Sequence, residues 1–339
     1  MTDTIRAWAA MASKSALVPY EYVPGELQPE QVEVAVDYCG ICHSDLSMIG
    51  NDWGNTRYPL VPGHEVVGRI VACGEQVKGR RVGDRVGVGW YSASCMHCGQ
   101  CLSGEQQLCG SGEQTIVGRH GGFAERVRTH WAWATPLSDS LASEACGPLF
   151  CGGITVFSPI VTCGVKPTDR VGVVGIGGLG HLAVKFLHHW GCEVTAFTSS
   201  DSKRDEALGL GAHKVVSSRD RAGLKALAGT LDFILVTVNV SLDWSALIAA
   251  LAPKGRLHFV GAVLEPIPVA AFSLIGGQKA ISGSPLGNLS NTGAMLEFCA
   301  RHAIEPQVEV FPMSRVNEAI EHLHAGKARY RVVLKNDFA

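Results

Sequence analysis

Cys95, Cys98, Cys101 and Cys109 form the spacing C-x2-C-x2-C-x7-C. Four thiolates so close in sequence can surround one ion tetrahedrally, and Gly99, Gly104 and Gly110 permit the sharp backbone path. A site closed by four sulfurs has no position left for substrate, so a structural zinc is expected; iron–sulfur ligation uses the same donors. A nucleic-acid zinc ribbon needs two CxxC pairs about 15–20 residues apart, which this spacing lacks.

Three more candidates are far apart in the chain. Cys42 opens G-I-C-H-S-D, His64 sits in P-G-H-E, and Cys151 sits in F-C-G-G-I-T. Each alone reads first as a buried core residue. Together they supply two thiolates and one imidazole, the donors of a catalytic zinc with an open fourth position. Asp45 and Glu65 are the carboxylates expected behind a zinc-bound histidine. Spacing by itself does not assemble the three.

The stretch Gly175–Gly180 reads G-I-G-G-L-G, with Gly175, Gly177 and Gly180 in the pattern G-x-G-x-x-G. An apolar run, Val171–Val174, precedes it and a helical pattern follows. In that setting the glycines let backbone approach a pyrophosphate at a helix N-terminus; the alternative is a tight turn with no nucleotide. The end of the next strand selects the cofactor, because an acid there holds the ribose 2′-hydroxyl of NAD. Here the chain reads Phe197-Thr198-Ser199-Ser200-Asp201-Ser202-Lys203-Arg204. Thr198 has no carboxylate, and the hydroxyls and two cations that follow suit the 2′-phosphate of NADP. Asp201 comes three residues late and reads as a helix cap.

These groups must be held by a chain of 339 residues and 36.0 kDa, enough for about two domains. Hydrophobic residues are 46% and charged residues 18%, with mean hydropathy +0.15, which excludes intrinsic disorder. The net charge, 29 − 31 = −2, gives no pull towards nucleic acid or anionic membrane. The 40 glycines lack a G-X-Y period, so collagen is excluded and many tight turns are expected. The first residues contain no apolar signal core, and no apolar run approaches the roughly 18 residues of a membrane span. Twelve cysteines in such a chain read as metal ligands or buried thiols rather than disulfides, so a cytoplasmic location is expected.

Short β-type runs fill the first 150 residues: Val32–Val36 alternates, and Val66–Val71 and Val82–Val88 are similar. The texture changes near Thr168. A helical stripe follows the glycine turn, with Leu179, Leu182, Ala183, Phe186, Leu187 and Trp190 on one face and His181, Lys185, His188 and His189 on the other, and Gly191 as the stop. Strands at Val194–Thr198, Phe233–Val238 and Leu257–Val260 alternate with helices at Lys203–Leu210 and Trp244–Leu251. This alternation predicts an α/β fold with a parallel, doubly wound sheet. Two amphipathic helices, near Gly293–His302 and Ser314–Ala325, and a strand at Tyr330–Leu334 close the chain.

The stretches Asp37–Met48, Tyr58–Val67, Gly147–Pro159, Gly175–Ser200 and Ala328–Leu334 resemble the zinc-dependent medium-chain alcohol dehydrogenases over essentially the whole length. Within them the chain is similar to the NADP-dependent, cinnamyl alcohol dehydrogenase-like branch, nearest the bacterial broad-range aldehyde reductases. The resemblance implies a GroES-like β-rich catalytic domain over residues 1–150, completed by 288–339, and a Rossmann domain over 151–287. It implies two zinc ions per chain: a catalytic one on Cys42, His64 and Cys151, with Glu65 able to exchange onto it, and a structural one on the four-cysteine lobe. It implies NADP(H) contacts from His43, Thr155, Gly175, Gly177, Gly178, Leu179, Gly180, Thr198, Ser199, Ser200, Lys203, Thr237, Val238, Gly261, Ala262, Val263, Ser284 and Arg331, with His43 and Arg331 at the pyrophosphate and Thr155 beside the nicotinamide.

Ser44 falls where the family keeps a proton-passing hydroxyl. Many relatives have His where this chain has Ser47, and a hydroxyl cannot hold a proton near neutral pH as imidazole can. Trp53, Trp90 and Leu286 fall along the family's substrate channel, although the two tryptophans also read as core aromatics. The implied reaction is reversible reduction of a broad range of aliphatic or aromatic aldehydes to primary alcohols with NADPH, with no nucleic-acid or membrane partner and a homodimer formed through Ala280–Leu286. An NAD-dependent polyol or sugar dehydrogenase of the same fold and a non-catalytic zinc protein are the rival readings.

Overall fold

The computed structural model describes residues 4–338; the side chain of Asp201, the candidate cap, lies outside the described residues. The chain divides into two compact units. One runs to Cys151 and resumes at Asn288, and the other is the continuous stretch Gly152–Gly287.

The first unit begins with β1 (Ile5–Ala10), β2 (Leu17–Tyr22), β3 (Gln31–Ile41) and helix α1 (His43–Gly50). There follow β4 (Val66–Cys73), β5 (Arg85–Val88), β6 (Tyr91–Ala93), α2 (Gly99–Leu102), β7 (Glu113–Gln114), β8 (Arg126–His130), β9 (Thr135–Pro136) and α3 (Ser143–Cys146). After residue 287 this unit adds α10 (Leu289–His302), β16 (Val308–Pro312), α11 (Val316–His324) and β17 (Arg331–Lys335), counting the second unit's elements in between. Its main sheet has the order β16-β17-β3-β4-β5-β9, and β8 also pairs with β3.

The alternation in β3 buries Val32, Val34 and Val36 as the pattern predicts. Glu33 is also buried, at 4% exposure, because Arg126 and Arg128 on β8 meet its carboxylate at 2.8 and 2.7 Å. The strand expected at 82–88 starts only at Arg85. Before it the chain turns through Gly83 (φ +95°), and Asp84 accepts from Arg81 N at 2.9 Å.

The second unit holds α4 (Gly152–Thr162), β10 (Arg170–Val174), α5 (Gly180–Trp190), β11 (Glu193–Thr198), α6 (Arg204–Gly209), β12 (Lys214–Ser217) and α7 (Arg221–Ala226). It continues with β13 (Leu231–Val236), α8 (Trp244–Ala250), β14 (Leu251–Phe259), α9 (Ala271–Ile275) and β15 (Ala280–Gly283). Its six strands are all parallel, in the order β12-β11-β10-β13-β14-β15. The strand order reverses between β10 and β13, the switch point where ligands of such sheets bind. Val171, Val173 and Val174 and the run Phe233–Val236 are buried on both faces, as parallel strands require. The sheet and its helices have the Rossmann-type architecture, and the fold as a whole is GroES-like plus Rossmann-type α/β.

Helix α5 buries Leu182, Ala183, Phe186 and Leu187, and Gly191 ends it with φ +107°. His181 departs from the expected polar face: it is fully buried, with Nδ1 donating to the Gly177 carbonyl 3.0 Å away. Its polarity is met inside the preceding turn, whereas Lys185, His188 and His189 stay at least partly exposed. The strand expected to end at Val238 ends at Val236. Thr237, just past it, donates both its amide and its hydroxyl to the Val174 carbonyl, at 3.0 and 2.9 Å.

Candidate active site

Strand β3 delivers Cys42 to the N-cap of α1, in extended conformation (φ −118°, ψ 163°). Three residues on, the buried Asp45 carboxylate ties the local structure together. Its Oδ2 accepts from Cys42 N at 2.9 Å, and its Oδ1 accepts from Gly63 N at 2.9 Å and from His64 Nδ1 at 3.0 Å. The ring is thereby fixed with Nε2 facing the other way, and that atom is buried with no hydrogen-bond partner. Cys151 follows a short 3-10 turn over Gly147–Phe150.

The donor atoms of Cys42, His64, Glu65 and Cys151 all lie within 4.8 Å of one another. Cys42 Sγ and Cys151 Sγ are 3.8 Å apart, too far for a disulfide. Two thiolates on one tetrahedral zinc, each at about 2.3 Å, are separated by about 3.8 Å. The donor set, its spacing and the bare Nε2 therefore fit zinc.

Glu65 is also fully buried. Its Oε1 accepts from the Arg331 guanidinium on β17, and its Oε2 has no hydrogen-bond partner. Gly40 makes room for it, since a Cβ there would come 2.0 Å from Oε2. Burial pushes the Glu65 carboxyl up, against the pull of Arg331. Burial opposes the charge on Arg331, but Glu65 and the two cysteines outweigh it and hold the guanidinium charged. The hydrogen bond between the two cysteines draws the Cys42 thiol well below its usual range and, with burial, pushes the Cys151 thiol well above.

Ser44 Oγ is 3.7 Å from Cys42 Sγ; Ser47, one turn further along α1, is half-buried, and His43 is exposed. The Trp90 ring stands edge-on to His64 at 5.0 Å, and Trp53 stands edge-on to Trp90 at 5.8 Å. Trp53 is 44% exposed, so it is no core residue, whereas Trp90 packs partly against the core. Arg331, expected at a pyrophosphate, is 4% exposed with Glu65 as its partner.

The donor atoms of Cys95, Cys98, Cys101 and Cys109 likewise lie within 4.8 Å of one another. Cys95–Cys101 and Cys98–Cys109 sulfur separations are both 3.9 Å. Backbone amides turn inwards: Cys98 N donates to Cys95 Sγ at 3.3 Å and Cys95 N to Cys109 Sγ at 3.5 Å. The amide of Cys95 and the neighbouring Ser111 pull the Cys109 thiol down to about 6, a thiolate ready for a cation.

In the second unit, Gly175 closes β10 with φ +95°. A Cβ on Gly180 would strike the Gly175 carbonyl at 1.8 Å, so that glycine serves helix–strand packing. A Cβ on Gly177 would meet nothing within 4 Å. Packing does not explain that glycine, and the open space beside it leaves room for the backbone to be approached closely by a ligand. Gly178 and Leu179 complete the turn into α5. At the end of β11, Thr198 Oγ1 accepts from Ser200 N at 3.2 Å, and Ser200 Oγ lies 2.7 Å from Ser202 Oγ. Lys203 Nζ donates to the Ile176 carbonyl at 2.8 Å, bringing its charge to the glycine turn. Ser199 is exposed.

Thr237, Val238 and Gly261 interlock at the strand ends, where a Cβ on Gly261 would come 2.0 Å from the Val238 carbonyl. Ala262 is exposed, Val263, Ser284 and Leu286 are half-buried, and Thr155 lies 8% exposed on α4. Missed by the sequence reading was His258, buried beside Ser284 Oγ at 2.9 Å. A single histidine inside an apolar strand carries no pattern that would flag it.

Residues 28–139 match the family of the alcohol dehydrogenase GroES-like domain, and residues 178–301 match the zinc-binding dehydrogenase family. The chain is 53% identical to an aldehyde reductase, AdhA, of Synechocystis sp., covering 98% of this chain and 99% of that one. It is 40% identical to probable cinnamyl alcohol dehydrogenase 8D of Oryza sativa, over 96% and 93% of the two chains. Among solved structures, a cinnamyl alcohol dehydrogenase of Sorghum bicolor superposes with TM-score 0.93 at 39% identity, covering 98% of each chain. A Helicobacter pylori counterpart, complexed with NADP(H), does so with TM-score 0.89 at 28% identity, covering 99% of each.

Proposed function

Since the chain belongs to the zinc-binding alcohol dehydrogenases with a GroES-like domain, we propose that it reduces aliphatic and aromatic aldehydes to primary alcohols, reversibly, with NADPH. The observation that carries the reading is the buried pair of sulfurs 3.8 Å apart beside the unpartnered His64 Nε2. When bound, zinc polarises a carbonyl oxygen and NADPH supplies a hydride. The chain's own residues do the rest. Asp45 holds His64 by Nδ1 and Cys42 by its amide, so two donors keep one geometry. Arg331 restrains Glu65 through Oε1 and leaves Oε2 free to approach the metal. Ser44 gives a proton from Oγ to the product oxygen and regains one afterwards. Trp90 and Trp53 keep water off the His64 side and present an apolar wall to substrate. A second zinc on the four-cysteine lobe organises its loop.

NADP is preferred because Thr198 offers no carboxylate to a ribose 2′-hydroxyl, while Ser199, Ser200 and Lys203 offer donors to a 2′-phosphate. The expected preference in kcat/KM is at least about tenfold over NADH, equivalent to about 1.4 kcal/mol. Thr198→Asp narrows or inverts it. A panel of aldehydes, alcohols and polyols with all four nicotinamide cofactors measures both points; a wild-type preference for NADH, or for polyols, would overturn the reading.

We propose a homodimer. β15 is an edge strand of its sheet, and the segment before it exposes Leu264 (86%), Phe272 (81%) and Ile275 (67%). Pairing two such edges removes an aggregation-prone border. Light scattering at micromolar concentration is expected to give twice 36.0 kDa, and a monomer would refute the pairing. No single helix among the described residues is long and apolar enough to cross a membrane. We assign the protein to the cytoplasm, whose reducing conditions keep zinc-binding thiols intact.

A further inference from the structure

Strands β14 and β15 carry a row of polar side chains on one face. Their parallel register sets Arg256 opposite Ala280 and His258 opposite Ser282. Leu257, between Arg256 and His258, points to the opposite face and is fully buried in that unit's apolar cluster. The polar row is hydrogen-bonded from end to end. Arg256 NH1 donates to Ser282 Oγ at 3.1 Å, Ser282 Oγ lies 2.9 Å from His258 Nδ1, and His258 Nε2 lies 2.9 Å from Ser284 Oγ. Cys163 Sγ is also 3.6 Å from Nδ1.

The row has a direction. A guanidinium only donates, so Ser282 Oγ accepts from Arg256, and among the described residues the hydrogen of that hydroxyl has no acceptor but Nδ1, to which it passes. Burial pushes the Cys163 thiol up, so it keeps its hydrogen and offers a second donor to the same nitrogen. The ring is neutral, since burial and the nearby Arg256 bring its pKa down to about 4. With two donors facing Nδ1, the single ring proton sits on Nε2 and goes to Ser284 Oγ. The hydroxyl hydrogen of Ser284 is then left over and finds no acceptor among the described residues.

Ser284 stands just past the end of β15, its amide on the Phe259 carbonyl at 3.3 Å. Ligands of parallel sheets bind at this carboxyl edge. In the strand order β11-β10-β13-β14-β15, a dinucleotide held by its 2′-phosphate at the end of β11 and crossing the switch point between β10 and β13 would bring its nicotinamide towards the ends of β14 and β15. We propose that His258 is a positioning residue that turns the Ser284 hydroxyl outwards as a donor to the carboxamide oxygen of NADPH. The proposal rests on the NADPH reading above.

Calorimetric titration of the zinc-loaded protein with NADPH and with 2′-phospho-ADP-ribose, which lacks the nicotinamide, tests it. His258→Leu and Ser284→Ala are each expected to weaken NADPH about tenfold and 2′-phospho-ADP-ribose less than about twofold. Combining them adds nothing further. His258→Gln, whose amide reaches towards the place of Nε2, is expected to stay within about threefold of wild type. Equal losses for both ligands, no effect of Ser284→Ala, or a Gln variant no better than Leu would overturn the positioning role. A wild-type protein that binds neither ligand would overturn the dinucleotide reading itself.

Discussion

Cys151→Ser is expected to reduce turnover by at least about 10³-fold while the protein stays folded and its zinc content falls from about two to about one per chain. The three proposed ligands close on one another through space, and serine cannot replace a thiolate as a soft anionic donor. Loss of that sulfur leaves Cys42, His64 and Glu65 buried without a complete partner set, but Asp45 still ties Cys42 to His64. The fold around them therefore persists. Cys98→Ser is the contrast: it opens a closed four-sulfur site, so it mainly lowers the melting temperature of the lobe and leaves the rate per folded molecule near the parent value. Metal analysis, thermal melting and rates on each variant separate the two sites. Near-normal turnover in Cys151→Ser would remove the catalytic assignment.

Ser44→Ala is expected to lose at least about a hundredfold in turnover and Ser47→Ala less than about tenfold, the usual cost of a lost proton-transfer group being on the order of 10²–10⁴. Ser44 Oγ is 3.7 Å from Cys42 Sγ, within reach of anything bound beside that sulfur. Ser47 is half-buried one turn away and cannot act as a base at neutral pH. Ser47→His would supply an imidazole and add a pH dependence at roughly 6–7. Single-turnover reduction of one aldehyde across pH, with zinc checked in each variant, reads the difference. Equal damage at the two serines would route the proton elsewhere.

The doubly wound sheet was legible because its signals are local: apolar strand runs, a glycine turn and a helical stripe recur along one stretch. The proximity of the four cysteines was equally local, all of them falling between residues 95 and 109. The other cluster was not legible from spacing. Cys42 and Cys151 stand 109 positions apart, and what joins the neighbourhood is one carboxylate, Asp45, reaching both Cys42 N and Gly63 N. Only whole-chain resemblance suggested the grouping. The Glu65–Arg331 pair spans 266 positions and has no sequence signature at all. His181 misled because helical periodicity records polarity, not the carbonyl that awaits a ring nitrogen one turn back. His258 was invisible for a related reason: its partners come from the next strand over, fixed only by parallel register.

Strand β17 lies between β16 and β3 and brings Arg331 to Glu65. A ribosome therefore delivers Cys42, His64, Glu65 and Cys151 well before the guanidinium that balances them. The whole of residues 152–287 is synthesised in between, as one continuous folding stretch. Until residue 331 emerges, the sheet that carries Cys42 lacks its neighbour and the Glu65 carboxylate lacks its cation. The four-cysteine lobe suffers no such delay, because its donors are translated together. The four-cysteine cluster can thus close early on a nascent chain, whereas the Cys42, His64, Glu65 and Cys151 cluster gains its balancing cation only after residue 331 has been made.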